Sequence, residues 1–298
     1  MERSAPPLQE PQAGLAQLIA LLAANAALAM GPWLVRLADT GPVAAGFWRL
    51  GLALPVLMLL SVREGAPVWR LGRTTLIAAV VAGLFFAFDL VAWHLGIVRT
   101  RLGNAALFGN SGSVILMAVG LFMARRRPRV LELLAIFCAL AGAALLMGGS
   151  LELSQRHFAG DLFCLLAGAL YAGYLLALRP ARSRLGGYSL LAATGLVGTP
   201  ILLGSALILG ERVVPTDWTP VIALAISSQL IGQGLLIYSL RFFSPLVLGL
   251  ALLTQPAIAA SIGWLAFGEM LGLSDILGMA LIGGALLVAR LRAPVETR

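Results

Sequence analysis

Apolar runs of about twenty residues recur along this chain, separated by short links that carry Pro, Gly and Arg. A bilayer core about 30 Å thick takes about 20 helical residues to cross, so each run predicts one crossing. The pattern predicts ten: 13–36, 42–62, 74–97, 102–124, 130–148, 160–179, 187–209, 217–240, 245–268 and 273–292. The expected fold class is therefore all-α, a polytopic membrane protein, with a polar Pro-rich tail at 1–12 and a short tail at 293–298. The first run, Gly14–Leu37, is too long for the apolar part of a signal peptide and is expected to be retained.

Two of the runs are the wrong kind of apolar for lipid-facing anchors. Asp89 and His94 sit in the third; Asn104, Asn110, Ser111 and Ser113 sit in the fourth. A carboxylate near the bilayer centre costs roughly 2.5–3.5 kcal/mol even on a lenient insertion scale. These residues are therefore expected on the wall of a polar cavity inside a helical bundle.

The two halves of the chain resemble each other at an offset of about 142 residues. Arg99 then meets Arg241, Gly142 meets Gly284, and Ala27-Leu28 meets Ala169-Leu170; Pro55 and Pro200 correspond at a slightly different offset. Five crossings per half is an odd number, which places the halves in opposite orientations. Inverted repeats of this kind are a transporter design, with the binding site between the repeats near the midplane. The expected division is 13–149 and 150–292.

Composition removes other classes. Hydrophobic residues make up 60% of the 298, charged residues only 11%, and mean hydropathy is +0.95, which no soluble domain of this length sustains. A net charge of +8 would suggest nucleic acid in a soluble protein. Here fifteen of the 21 basic residues, all of them Arg, fall in alternate links, so the charge orients the chain with both termini cytoplasmic. No nucleic-acid partner is expected; the partners are a lipid bilayer and a small solute. Cys138 and Cys164 lie inside apolar runs without metal-ligand spacing, so no metal or cofactor is expected.

Candidate site residues follow from helical spacing. In the third run Ala82, Phe86, Asp89, Trp93 and Gly96 share one face, with His94 on a neighbouring face. Asp89 either meets a substrate ammonium, exchanges a proton, or is locked by internal hydrogen bonds. Asn104 and Ser111 are seven apart in the fourth run, and either line a cavity or bond helix to helix. Gln229 and Gln233 are one turn apart in the eighth. Thr254 and Gln255 precede Pro256, which frees a carbonyl about one turn earlier. Tyr171 lies deep in the sixth run and is expected on a pocket wall; Asn25 is either cavity lining or helix–helix glue. Arg49 is expected to snorkel or to pair with an acid. Pro55, Pro200 and Pro256 are candidate hinges. Ser111 or Ser113 with His94 offers a dyad for an intramembrane hydrolase, but no orienting third group and no G-x-S-x-G elbow accompany them.

Several short motifs resemble a known family. Phe267-Gly268-Glu269, Asp275-Ile276-Leu277-Gly278 and Gly283-Gly284-Ala285-Leu286-Leu287 are similar to the closing pattern of EamA-like domains, of the drug/metabolite transporter superfamily. Gly160-Asp161-Leu162, Phe47-Trp48-Arg49-Leu50 and Arg99-Thr100 with Asn104-Ala105-Ala106 resemble the same domains. Arg127 departs from the pattern, standing where the first repeat usually has Glu. An acid in the third run, Asp89, resembles the YddG-type amino-acid exporter branch. The resemblance implies ten transmembrane helices around a central cavity, as two EamA repeats. It implies a carrier, not an enzyme, exporting amino acids or similar metabolites across a bacterial inner membrane; the oligomeric state is left open, a monomer being compatible with the sequence. A nucleotide sugar or a cationic drug are the alternative solutes on this fold.

Overall fold

The computed structural model describes residues 14–100, 105, 108–124, 127–148, 157–182, 185–267 and 271–291. All the regular structure among them is helical, in ten main segments and a short 3-10 helix at Val68–Arg70. They are α1 (Leu15–Leu37), α2 (Pro42–Arg63), α3 (Arg73–Ile97), α4 (Ser111–Met123), α5 (Val130–Gly148), α6 (Phe158–Arg182), α7 (Gly187–Ile208), α8 (Thr219–Ser239), α9 (Pro245–Leu252 and Thr254–Phe267) and α10 (Leu273–Leu291). Six of these, α1, α2, α3, α6, α7 and α8, are long and apolar enough to cross a membrane, and α4, α5, α9 and α10 contain shorter apolar helices. Their outward faces are apolar: Phe88, Phe122, Phe137 and Leu265 are among the exposed large side chains. A surface of that kind suits lipid and not water. The chain is a polytopic membrane protein.

Helix starts and stops follow local chemistry. Pro stands in the first turn of α2 and α8 and at the head of α9, where its missing N–H has no partner to lose. Ser244 also caps α9, its hydroxyl accepting from the Val247 amide at 3.4 Å. Helices α2 and α7 end on Gly65 (φ +75°) and Gly210 (φ +67°), the left-handed conformation that closes a helix and favours glycine.

The packing has a two-fold pattern. Helices α2 and α7 pair, as do α4 with α9 and α5 with α10. Likewise α3 packs on α6 and α7, while α8 packs on α1 and α2; α4 packs on α6, while α9 packs on α1. Exchanging each helix for the one five places along leaves this set unchanged. The α2–α7 pair shows the sense of the symmetry. Glu64, just past the end of α2, accepts from the Tyr188 amide (3.3 Å), the Ser189 amide (3.0 Å) and the Ser189 hydroxyl (2.9 Å) at the start of α7. Glu211, just past the end of α7, accepts from the Ala44 amide at 2.8 Å at the start of α2. Each carboxylate sits at a helix N-terminus, where orphan amides and the helix dipole favour an anion. The end of each helix thus meets the start of the other, so these equivalent helices run antiparallel and the repeats are inverted. A Cβ on Gly186 or Gly41 would stand 2.0 or 2.3 Å from a glutamate oxygen, so a side chain at either glycine would push its cap aside.

A second reciprocal pair closes the ends of α3 and α8. Arg36, at the end of α1, donates to the Ile97 carbonyl at 2.9 Å; Arg182, at the end of α6, donates to the Ile237 carbonyl at 2.8 Å. Close helix approach does the rest. In the α5–α10 seam a Cβ on Gly142 would come within 2.6 Å of the Gly278 carbonyl, and one on Gly278 within 2.7 Å of the Gly142 carbonyl.

The helices are regular except where they meet one space. Helix α1 is interrupted at Met30, ahead of Pro32. Helix α9 breaks at Leu253, because Pro256 has no N–H for the carbonyl of Leu252. Residues Ala225–Gln233 of α8 form a π-helix, a form that recurs at functional sites. Neither Pro55 nor Pro200 interrupts its helix, and the ends of those two helices are tied by the glutamate caps. The irregular backbone lies instead at Met30, Leu253 and Ala225–Gln233.

Candidate functional site

The three irregular helices surround a central cavity of about 180 Å³. It is lined by Leu28 and Pro32 of α1, Arg49 of α2, Phe86, Asp89, Leu90, Trp93 and Ile97 of α3, Gly109 and Asn110 before α4, Gly168 and Tyr171 of α6, Gln233 of α8, and Gln255 and Pro256 of α9. The contributions of α1, α2, α3 and the approach to α4 all come from the halves of those helices remote from the described chain ends. Toward the chain ends the bundle is tight. A Cβ on Gly120 would lie 2.4 Å from the Leu246 amide, and one on Gly249 2.6 Å from the Ser113 carbonyl, so α4 and the first piece of α9 are in backbone contact. The second piece of α9 packs on α1, α5 and α10 instead. The cavity thus extends from mid-bundle toward the face opposite the chain ends.

Asp89 projects from α3 between Phe86 and Trp93, one turn to either side. It is 6% exposed, and no described residue makes a hydrogen bond or ion pair with its carboxylate. Facing the same cavity is Arg49, 5% exposed. Its Nε donates to Gln229 Oε1 at 3.3 Å, and its guanidinium carbon lies 5.8 Å from the Phe86 ring centre. Charges this deep are ordinarily paired, because desolvating an ion costs several kcal/mol unless a partner replaces water. Here two opposite charges share one cavity without touching.

Amides and phenols complete the wall. Gln233 Nε2 donates to the Tyr171 hydroxyl at 3.1 Å, while Gln233 Oε1 and Gln229 Nε2 have no partner among the described residues. Gln255 Nε2 donates to Asn25 Oδ1 at 3.0 Å, and Asn25 Nδ2 donates to the Ala251 carbonyl at 2.9 Å, tying α1 to α9 across the break. Phe86 stacks on Tyr174 with ring centres 4.4 Å apart and planes at 16°, which fixes one aromatic wall.

Of the residues singled out by sequence, the structure brings Phe86, Asp89, Trp93, Tyr171, Gln233, Gln255 and Pro256 to the cavity. It places four others elsewhere. His94 faces α2, not the cavity: its ring lies 3.1 Å from where a Cβ on Gly46 would be, and its Nδ1 donates to the Leu90 carbonyl at 2.6 Å. Ser111 closes a helix seam, its hydroxyl donating to the Leu165 carbonyl at 3.1 Å. The Thr254 hydroxyl is turned into its own chain, donating to the Ala251 carbonyl at 2.6 Å. Gln229 stands behind Arg49 and not on the wall. Asn104 lies outside the described residues, as do both tails and Gly268-Glu269.

Arg49 is the lining residue that sequence reasoning misplaced. It is seven residues past Pro42, about 10 Å along the helix. That depth, with no acid three or four residues away on its own helix, was the available sign that it neither snorkels nor pairs locally. Among the described residues no group of three His, Cys, Asp or Glu is arranged to hold a metal ion.

Comparison with known proteins agrees with this architecture. Residues 15–148 and 158–291 each match the EamA-like transporter family. No curated protein matches the chain. A solved structure titled only "Crystal structure of protein" superposes with a TM-score of 0.78 at 19% identity, covering 93% of this chain and 96% of its own. At that identity the likeness concerns the fold.

Proposed function

From the premise that this chain belongs to the EamA-like transporter family, whose members move small solutes across membranes, we propose that it exports amino acids or closely similar metabolites by alternating access of the central cavity. The observation that carries the proposal is Asp89: a carboxylate with no hydrogen-bond or ion-pair partner among the described residues, held between Phe86 and Trp93 on the wall of a small cavity. A buried carboxylate in that position is a receptor for an ammonium group, and the aromatic walls suit an apolar side chain. The cavity, about 180 Å³, is below the roughly 300–1,000 Å³ usual for drug-sized ligands. That argues for a small metabolite over a nucleotide sugar or a cationic drug.

In this proposal the chain lies in a bacterial inner membrane as two EamA repeats, 13–149 and 150–292, with both ends cytoplasmic as the arginine bias directs. The conformation described is then the outward-facing one. The tight α4–α9 contact near the chain ends is the closed inner gate. The breaks at Met30 and Leu253 and the π-helix of α8 are the places where helices bend when the gate changes sides.

The test is counterflow into proteoliposomes across a panel of amino acids, with and without a pH gradient. Saturable exchange of neutral amino acids is expected. Failure to exchange any amino acid, with purified protein that remains folded, would overturn the proposal.

A further inference from the structure

We propose that Arg49 is the second pole of the site, binding a carboxylate, so that recognition needs an ammonium and a carboxylate on one molecule. This rests on the transport reading above and names the chemistry by which that cavity selects.

The geometry points to Arg49 from three directions. First, it faces the cavity from the wall supplied by α2, while Asp89 faces it from α3, and the two are not in salt-bridge contact. A zwitterion between them satisfies both charges at once, where an amine or an acid alone leaves one unanswered. Second, the guanidinium is held by its inner edge. Gln229 Oε1 takes the Nε proton and the Phe86 ring lies alongside. The two terminal nitrogens meet no described acceptor, and a guanidinium fork presented this way matches a carboxylate bidentately. Gln229 is thus a positioning residue, acting through Arg49.

Third, the scaffold does not need a charge there. Gly41 and Gly186, Pro55 and Pro200, and Gly65 and Gly210 are each 145 residues apart, so Arg49 of α2 corresponds to Thr194 of α7. Thr194 is fully buried, and its hydroxyl is satisfied within its own helix, donating to the Leu191 carbonyl at 3.2 Å. The same helix position is therefore built without an ion in the other repeat. A group kept only to bond Gln229 could be neutral.

The deciding measurement uses the wild-type protein, which no folding defect can confuse. Proteoliposomes exchange labelled leucine against three competitors: leucine, leucinamide, which keeps only the ammonium, and 4-methylpentanoate, which keeps only the carboxylate. Leucine alone should compete well, with each single-ended analogue weaker by about tenfold or more, since a site built around buried polar groups rejects a ligand that leaves one unpaired. Leucinamide competing as well as leucine would overturn the role of Arg49. No exchange of leucine or of any other amino acid would instead remove the parent proposal.

Variants then locate the effect. Arg49→Gln should raise the KM for leucine about tenfold or more, with relative preference shifted toward leucinamide. Arg49→Lys, keeping the charge but not the fork, should recover part of the loss. Gln229→Ala should give a smaller KM increase with the same shift in preference. A loss equal for leucine and leucinamide in folded Arg49→Gln would mark a merely structural arginine and overturn the proposal.

Discussion

The two repeats have one backbone plan and different chemistry at equivalent seams. Helix α6 meets α4 through glycine: a Cβ on Gly168 would fall 2.2 Å from Ser111 Oγ and 2.7 Å from the Gly109 carbonyl. The equivalent contact, α1 with α9, is made by side-chain amides, Asn25 with Gln255 and with the Ala251 carbonyl. The pattern extends to the site. The first repeat contributes both charges, Arg49 and Asp89; the second contributes uncharged groups, Tyr171, Gln233 and Gln255. In the proposed alternating access, a two-fold scaffold would supply motion that looks alike from either face, whereas a zwitterionic substrate would need a wall that is not alike. The difference teaches that the symmetry belongs to the helix ends and seams, and the asymmetry to the cavity.

The largest expected effect breaks that asymmetry. Asp89→Asn should lower leucine transport by about tenfold or more, without loss of thermal stability, because it removes a buried charge that no described residue pairs. Thr194→Val, at the equivalent of Arg49, should leave transport within about twofold. Counterflow rates with fluorescence-detected melts in detergent measure both, and equal losses in the two variants would erase the distinction between the repeats.

Next in size are the seams. Gly168→Leu forces α4 and α6 apart and should cost about 1–3 kcal/mol, as overpacking does. Asn25→Ala in the equivalent seam should cost less, about 0.6–1.7 kcal/mol, the range for hydrogen bonds between membrane helices. Denaturation of the purified variants gives the order; a greater loss at Asn25 would reverse it.

The glutamate caps come third. Glu64→Gln and Glu211→Gln each weaken an anion at a helix N-terminus, worth about 0.3–1 kcal/mol. Glu64 should matter more, since among the described residues it accepts three hydrogen bonds against one for Glu211. Melting temperatures of the two single variants sharpen or erase that ranking.

The smallest effect concerns a link on one face only. Asp39 accepts from the Thr216 hydroxyl and from its amide, and those donors hold its carboxyl below the ordinary carboxylate value. A lowered folded pKa means the tie is fully present above the unfolded value, about 3.9, and is lost as pH falls through the folded one. The melting difference between wild type and Asp39→Asn should therefore be constant from pH 5 upward and close only in stronger acid. A difference that closes between pH 5 and 7 would contradict this assignment.

How much of this was legible beforehand differs between bundle and site. The succession of crossings was legible, because apolar length adds along the chain and needs no knowledge of neighbours. So was the third-helix stripe of Phe86, Asp89 and Trp93, because helical spacing alone puts them on one face. His94, Ser111 and Thr254 were not separable from them, because a polar residue in an apolar helix is equally well served by a cavity, a neighbouring helix or its own backbone. The Glu64 and Glu211 caps were not legible either, since they join residues far apart in sequence.

Sequence by itself determined that this is a membrane bundle and that Asp89 must turn inward, since lipid cannot solvate a carboxylate. Only the tertiary structure decided which inward groups face a common space. Lipid and helix are equally oily to a buried side chain, so hydrophobic periodicity cannot say which neighbour it meets. Arg49 shows the consequence: its charge was plain in the sequence, and its place opposite Asp89 came only from the packing of α2 against α3 and α8.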